Sequence, residues 1–348
     1  MKALVLESNG QLKVQKEYPN PTKLNSDYIL IKVVACGICG SDLVRGFHNG
    51  AYFYPLIMGH EFSGIVAEDK PDSNYKKGDR VAVFPLIPIN KNEKAYQTGD
   101  YAQLKEYNYL GSRSDGAFSE YVYAPVENLF PVPEHVDSIH ASMTEPAAVA
   151  LHGVRKMHIN VGDNAAVIGG GPIGNMTAQW LRIHGCNQVF VIDVDEKKLN
   201  LASEMGFHTI NAAKENVAEV ISEKTQGEGV KKVVEACGLP KTFLQALEIA
   251  SRSGEVVFMG NIHGTFTMEE KDFSNILRKE LTIYGTWNSK TIPTGEDDWS
   301  TVLKYMDKEL QVAPLISHII SIEEAPKMFN DMVAKNIYYN KVIINPTL

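Results

Sequence analysis

The chain has 348 residues, enough for two domains, and its composition is ordinary for a globular protein, with 44% hydrophobic and 22% charged residues. The formal net charge of −8 argues against a surface that binds nucleic acid or an anionic membrane. No apolar run approaches the roughly 18 residues that span a bilayer, the N-terminus lacks a signal-peptide pattern, and the four cysteines are too few and scattered for a disulfide framework. These features predict a cytoplasmic protein with a sizeable core.

The first 150 residues or so contain short β-type runs that are broken by turns. Examples are the runs at 28–34, 63–67 and 80–84, the last of which lies between a Gly-Asp pair and Pro85. This texture predicts an irregular, mostly antiparallel β domain. The polar stretch 87–105 is predicted to form a surface lobe.

From about residue 160 to 285, candidate strands alternate with candidate helices. A helical stripe of Ile173, Met176, Trp180 and Leu181 ends at Gly185. Short apolar strands that alternate with amphipathic helices are typical of a doubly wound parallel sheet. The predicted strands are 165–168, 189–192, 232–235, 255–259 and 281–284, with a further strand at 341–344 near the C-terminus.

A glycine-rich turn at 169–174 fits the G-x-G-x-x-G pattern and stands between a predicted strand and a predicted helix. Such glycines let the backbone approach a pyrophosphate, whose charge lies at the helix N-terminus. Asp193 follows at close to the expected spacing of about 20 residues, where a carboxylate accepts hydrogen bonds from a ribose 2′-hydroxyl and repels a 2′-phosphate. Because Val194 supplies no cation, NAD is predicted rather than NADP. The predicted cofactor-binding residues are Gly169, Gly171, Pro172, Ile173, Gly174, Asp193 and Lys198, the last of which is otherwise an exposed helix lysine.

A second set of motifs carries thiol, imidazole and carboxylate groups in the β-rich region. Cys39 lies in the segment 36–42, His60 and Glu61 follow Gly59, and Glu145 precedes a proline. Together these side chains make a plausible shell for a divalent metal with one position open to substrate or water. The C-x-x-C pair of Cys36 and Cys39 leaves open a redox or structural-zinc interpretation, although no second pair and no thioredoxin-like context accompany it.

On these motifs the chain resembles the zinc-dependent medium-chain alcohol and polyol dehydrogenases over essentially its whole length. The matching segments are 37–42, 59–61, 116–121, 145–146 and the glycine turn before Asp193. Within that family it is most similar to the polyol-phosphate dehydrogenases, those of galactitol and arabitol phosphates, through segments 39–43, 54–55, 110–116 and 276–282.

The resemblance implies an α/β fold in three segments. These are a GroES-like, β-rich catalytic domain over 1–153, a Rossmann NAD-binding domain over 154–288, and a segment 289–348 that returns to the catalytic domain. It also implies that Cys39, His60 and Glu145 bind one catalytic metal, zinc or else manganese, with Glu61 as an alternating or neighbouring ligand. The implied catalytic residues are Cys39, Ser41, His60, Glu61 and Glu145. A homodimer or homotetramer is expected on the same ground.

Two departures from the family pattern change the expectations. The lobe at about 88–104 usually carries four cysteines for a structural zinc, but here Ile89, Asn92, Ala95 and Gln103 stand at those positions. The structural zinc is therefore predicted to be absent. Val44 stands where alcohol dehydrogenases often have a relay histidine, so protons are expected to leave Ser41 through water, the cofactor ribose or another side chain.

These observations predict NAD-dependent oxidation of a polyol phosphate, a small-molecule substrate of carbohydrate metabolism, to a ketose phosphate. Arg45 and Arg113 are the candidate phosphate ligands, with solvated surface cations as the alternative. Tyr54 and Asn288 are candidate polyol contacts, as are Tyr52 and Trp287. Alternative functions are a free-polyol dehydrogenase of the sorbitol type, a threonine-type dehydrogenase, and, in another class, a metal-free quinone reductase or a structural dinucleotide-binding protein.

Overall fold

In a computed structural model that describes residues 1–291 and 297–348, the chain divides into two compact units. One comprises Met1–Pro146 with Ser289–Leu348, and the other comprises Ala147–Asn288. The first boundary lies near the start of a helix over Thr144–Val154, and the predicted boundary at 153 lies at the other end of that helix. Residues 292–296, within the predicted C-terminal segment, lie outside the described residues.

The N-terminal part of the first unit is built mainly of short antiparallel strands, as predicted. The runs at 28–34, 63–67 and 80–84 coincide within a residue with parts of its third, fifth and sixth strands, and the fifth strand pairs antiparallel with both of the others. Short 3₁₀ helices cover Tyr101–Gln103, Val126–Asn128 and His140–Met143. The elements are β1 (Ala3–Ser8), β2 (Gln11–Gln15), β3 (Tyr28–Gly37), α1 (Gly40–Phe47), β4 (Leu56–Ile57), β5 (Glu61–Val66), β6 (Arg80–Val83), β7 (Leu86–Pro88), α2 (Lys94–Gln97), β8 (Tyr107–Tyr109), β9 (Tyr121–Pro125) and β10 (Leu129–Pro131). Helix α3 (Thr144–Val154) begins in this unit and continues in the second one.

The second unit is a six-stranded parallel sheet with helices between its strands, which confirms the predicted doubly wound fold. Its elements are β11 (Ala165–Ile168), α4 (Pro172–Ile183), β12 (Val189–Asp193), α5 (Glu196–Glu204), β13 (His208–Asn211), α6 (Val217–Lys224), β14 (Val230–Glu235), α7 (Pro240–Ile249), β15 (Ala250–Phe258), α8 (Glu270–Arg278) and β16 (Thr282–Gly285). The strand order β13-β12-β11-β14-β15-β16 is that of a Rossmann sheet. The sequence analysis missed β13, an edge strand whose polar, partly exposed residues lack an apolar run.

Helix α4 shows why the predicted stripe is a packing surface. Pro172 occupies its first turn, where a missing N–H costs nothing, and Met176, Trp180 and Leu181 are buried. Gly185 follows the helix with φ +103°, a conformation that favours glycine. No helix among the described residues is long and apolar enough to cross a membrane.

The C-terminal segment completes the sheet of the first unit. It contributes α9 (Asp298–Tyr305), β17 (Ile316–Ile320), α10 (Ala325–Val333) and β18 (Lys341–Ile344). The seven-stranded sheet has the order β10-β6-β5-β3-β18-β17, with β9 paired to β3. In this register Ile343 lies opposite Gly37 and Ile344 lies opposite Cys36, so the end of the chain reaches the segment that precedes Cys39.

The side chains of the stretch 87–105 pack more closely than its polar composition predicts. Tyr101 and Leu104 are buried, and the Tyr96 and Tyr101 rings stack with centroids 5.2 Å apart. Lys290, from the C-terminal segment, pairs with Asp100 at 3.1 Å. Aromatic stacking and ion pairing therefore pack the lobe, a pattern that its polar composition did not reveal.

Candidate active site

Three side chains of the first unit form a compact group of metal-ligating atoms. Ligand atoms of Cys39, His60 and Glu61 all lie within 4.8 Å of one another. Cys39 is the N-cap of α1, and Glu61 begins β5, directly opposite Gly37 of β3. Gly59 has φ +93°, and a Cβ there would lie 2.5 Å from the Phe118 ring, so the turn before His60 requires glycine.

The chemistry of these donors fits a divalent metal. His60 and Glu61 are 4% and 1% exposed, whereas Cys39 is partly exposed and leaves the group accessible from one side. Thiolate, imidazole and carboxylate are the ligands that zinc binds at catalytic sites. The buried Nδ1 of His60 has no hydrogen-bond partner, although it lies 3.4 Å from Asp42 Oδ1.

Asp42 connects the two segments that carry these donors. Its fully buried carboxylate accepts a hydrogen bond from the Cys39 backbone N–H at 3.0 Å and one from Arg45 at 2.7 Å. Burial disfavours charge on both Asp42 and His60, but their attraction outweighs it. The pKa of Asp42 is therefore lowered, and the pKa of His60, which also faces Cys39, is raised well above its usual value.

Glu145, at the start of α3, adjoins the three-donor group without belonging to it. The Tyr109 hydroxyl donates to Glu145 Oε1 at 3.1 Å, and the Tyr109 ring stands edge-on to His60 at 5.6 Å. Burial raises the pKa of Glu145 to about 7, and the charges of His60 and Glu61 also act on it. The carboxylate that groups with Cys39 and His60 within 4.8 Å is thus that of Glu61, the residue expected as an alternating or neighbouring ligand.

Ser41 lies in the first turn of α1, next to the donors. Its side chain is exposed, and its Oγ is 3.5 Å from His60 Nε2. Val44 lies one turn further along α1 and is 40% exposed. A hydroxyl at the position of Ser41 can both accept and donate a proton, whereas Val44 can do neither.

The structure adds Lys341, which the sequence analysis did not single out. Its Nζ lies 2.6 Å from Glu61 Oε2 and 3.2 Å from the Ile38 carbonyl oxygen. Burial lowers the pKa of Lys341, but Glu61 and Cys39 raise it more, so the ammonium stays charged. The only sequence signal is a lysine at the head of the apolar run 341–344.

The two candidate phosphate ligands differ in their surroundings. The Arg45 side chain is 11% exposed and is paired with Asp42. Arg113 is exposed, lies 4.2 Å from the Tyr107 ring centroid and 5.4 Å from that of Tyr52, and donates to the Tyr107 carbonyl oxygen. Of the predicted polyol contacts, Tyr54 is 39% exposed in the first unit, and Asn288 belongs to the second unit.

In the second unit the glycine turn joins β11 to α4. Gly169 has φ +117°, and a Cβ on Gly174 would lie 1.8 Å from the Gly169 carbonyl oxygen, so both positions require glycine. Gly171 is the N-cap of α4, and Pro172, which has no N–H, begins it, so the first helical backbone N–H groups that border the turn are those of Ile173 and Gly174. This is the arrangement that a pyrophosphate needs.

Asp193 ends β12 beside this turn. Its Oδ2 accepts a hydrogen bond from the Gly170 N–H at 2.7 Å, and its Oδ1 accepts hydrogen bonds from the backbone N–H groups of the next two residues. Lys198 Nζ lies 4.0 Å from Oδ2. A cation therefore stands close to the carboxylate, although Val194 supplies none.

Known proteins share both halves of this chain. Residues 25–134 match the alcohol dehydrogenase GroES-like domain, and residues 172–308 match the zinc-binding dehydrogenase domain. With the whole-length relatives described next, these matches establish that the chain belongs to the zinc-dependent medium-chain alcohol dehydrogenase family.

The similar proteins act on different substrates. Galactitol 1-phosphate 5-dehydrogenase of Escherichia coli (strain K12) is 32% identical over 99% of this chain and 100% of its own length. A crystal structure of galactitol-1-phosphate dehydrogenase from Escherichia coli gives a TM-score of 0.92, with 32% identity over 99% of this chain and 100% of that one. Sorbitol dehydrogenase of Halalkalibacterium halodurans is 31% identical over 99% of both chains. A zinc-binding dehydrogenase from Sinorhizobium meliloti 1021, solved with NADP, gives a TM-score of 0.88 at 30% identity over 99% of both chains. The family thus implies a zinc-type dehydrogenase that uses a dinucleotide.

Proposed function

We propose that the protein oxidises a secondary hydroxyl of a polyol phosphate to the ketose phosphate, with a divalent metal and NAD⁺. The observation that carries the proposal is the group of Cys39, His60 and Glu61, whose ligand atoms lie within 4.8 Å of one another. The whole-length similarity to galactitol 1-phosphate 5-dehydrogenase, at 32% identity, supports a phosphorylated substrate.

Cys39 and His60 would hold the metal, together with Glu61 or Glu145. A divalent metal bound there lowers the pKa of a hydroxyl that it contacts. Asp42, beside His60 Nδ1 and hydrogen-bonded to the backbone N–H of Cys39, keeps both residues in position. The thiolate favours zinc over manganese. The lobe around 88–104 contains no cysteine, so we expect no second, structural zinc.

Ser41 would carry the proton of the substrate hydroxyl outward. Ser41 is an exposed residue, and its Oγ near His60 can accept a proton and donate its own to water. Val44 has no titratable group, so the next acceptor must be water, the cofactor ribose or another side chain.

The dinucleotide would bind at the glycine turn, with its pyrophosphate at the N-terminus of α4 and its adenosine ribose at Asp193. The nicotinamide supplies the hydride acceptor. Asp193 favours NAD⁺ because a 2′-phosphate would meet its carboxylate. Lys198, 4.0 Å from Asp193, reduces that repulsion without removing it.

Arg113 is the phosphate ligand that we favour. Its guanidinium is exposed, and the rings of Tyr52 and Tyr107 hold it in place. It follows Tyr109, the hydrogen-bond donor to Glu145, by four positions, so its loop adjoins the metal ligands. A guanidinium binds phosphate oxygens in charge-assisted and often bidentate fashion.

A free polyol is the second candidate substrate, since sorbitol dehydrogenase is 31% identical over 99% of this chain. Reduction of NAD⁺ should be measured with hexitols, pentitols and their phosphates, with Cys39→Ser as the metal-site control. We expect turnover of a polyol phosphate that the Cys39→Ser variant lacks. Turnover of free polyols alone would favour the sorbitol-type activity, and equal turnover by Cys39→Ser would contradict the metal site.

A further inference from the structure

Lys341 is a buried cation at the edge of the proposed metal centre. It is the first residue of β18, and its side chain is only 5% exposed. Its Nζ donates hydrogen bonds to Glu61 Oε2 at 2.6 Å and to the Ile38 carbonyl oxygen at 3.2 Å. Burial of an ammonium group carries a large desolvation penalty, which hydrogen-bonding and charged partners such as these offset.

The space around the Glu61 carboxylate leaves no room for a side chain at position 37. Gly37 lies opposite Glu61 in the pairing of β3 with β5, and a Cβ on Gly37 would lie 2.3 Å from Glu61 Oε2. Any larger residue at position 37 would displace the carboxylate oxygen that Lys341 holds. The Glu61 carboxylate therefore occupies a defined slot between the backbone of β3 and the ammonium group of β18.

The charges in this region accommodate such a cation. The Cys39 thiolate and the Glu61 carboxylate would provide two negative charges around a site for one divalent ion, and Glu145 adds a third when it ionises, since burial raises its pKa to about 7. Lys341 supplies a further positive charge, which lies beside the Glu61 carboxylate.

We propose that Lys341 is a positioning residue that stops Glu61 from chelating the metal through both carboxylate oxygens. It holds Oε2, so only Oε1 is free to face the metal, and one coordination position stays open for the substrate. This inference rests on the metal site of the proposed function. A residue of the C-terminal segment would thus control how a residue of the N-terminal part binds the metal.

The test compares Lys341→Met with the unmodified enzyme, first with zinc and then with cobalt in its place. Without Lys341, both Glu61 oxygens can bind, so release of the metal to a chelator should slow by about 10-fold or more. The visible absorption of the cobalt enzyme should weaken, because higher coordination lowers its intensity. The kcat for every substrate should fall, since the open position is filled.

Two matched variants separate this role from simple stabilisation. Lys341→Arg keeps a cation beside Glu61 and should preserve the cobalt spectrum. The double variant Lys341→Met/Glu61→Gln removes both buried charges, which proteins often tolerate, and should restore fast metal release. Unchanged metal release and spectrum in Lys341→Met, or no reversal in the double variant, would overturn the inference alone. Absence of metal from the unmodified protein would overturn the proposed metal centre as well.

Discussion

Arg45 donates a hydrogen bond to the buried carboxylate of Asp42 at 2.7 Å. Asp42 in turn lies 3.4 Å from His60 and accepts the backbone N–H of Cys39. The guanidinium, expected as one of two phosphate ligands, therefore neutralises a carboxylate behind the proposed metal ligands.

This pairing predicts that Arg45→Met damages the whole site. Removal of one partner of a buried ion pair should lower the free energy of unfolding by about 3–5 kcal/mol. The kcat/KM should fall by the same factor for a polyol and for its phosphate, because the change acts through Asp42. Denaturant unfolding and steady-state kinetics with both substrates measure these effects. A loss confined to the phosphorylated substrate would instead make Arg45 a phosphate ligand.

Arg113→Gln should affect substrate selectivity and leave stability nearly unchanged, the opposite of Arg45→Met. Its guanidinium is exposed, so stability should change little, while kcat/KM for the phosphorylated substrate falls by about 30-fold or more. The free polyol should be almost unaffected, since it never used this contact. Equal slowing of both substrates would show that Arg113 has only a structural role, through its contacts with Tyr52 and Tyr107.

Asp193→Ala should change the cofactor preference. We expect weaker use of NAD⁺ and stronger use of NADP⁺, a combined change in the ratio of kcat/KM on the order of 100-fold. Lys198 should then bind the 2′-phosphate, so adding Lys198→Ala to Asp193→Ala should reduce NADP⁺ use again. Equal efficiency with the two cofactors in the unmodified enzyme would refute the assigned role of Asp193.

The raised pKa of Glu145 should make the stability of the metal-free protein depend on pH. Burial raises its pKa to about 7, above the value near 4.3 of an unfolded glutamate. The folded state then binds more protons than the unfolded state, so stability should fall as pH rises from about 4.3 to about 7, by about 3 kcal/mol. His60, whose pKa is also raised, loses stabilising charge only above about pH 6.5. Urea unfolding between about pH 5 and about pH 6.5 therefore reports on Glu145 and on Asp115, whose pKa burial also raises. A Glu145→Gln variant should lose most of this slope, and an equal slope in both proteins would contradict the assignment.

One metal ion per chain is the expected stoichiometry. Tyr96 stacks on Tyr101, and Asp100 pairs with Lys290, so the lobe around 88–104 packs through side chains other than cysteine. Elemental analysis should find one equivalent of zinc, and Cys39→Ser and His60→Ala should each lose it. Two equivalents, or metal that survives both changes, would contradict this prediction.

The sequence predicts the parallel sheet better than the surroundings of the metal site. Strand β11 has the predicted bounds because a strand buried on both faces is an unbroken apolar run. Strand β18, in the sheet of the first unit, also has the predicted bounds. The metal-ligating residues stand in short local motifs. Lys341 lies 280 residues from Glu61, and only the sheet register brings them together, so no local pattern predicts that contact. The Arg45–Asp42 pair is local, at i and i+3 on α1, and its spacing was a usable signal.

The most direct test of the account is the ratio of kcat/KM for galactitol 1-phosphate to that for galactitol, measured with NAD⁺ on the zinc-loaded enzyme. We expect a ratio of about 30 or more, because the guanidinium–phosphate contact adds about 2 kcal/mol of transition-state binding. A ratio near one, with turnover of both substrates, would contradict a polyol-phosphate dehydrogenase and leave the sorbitol-type activity in its place.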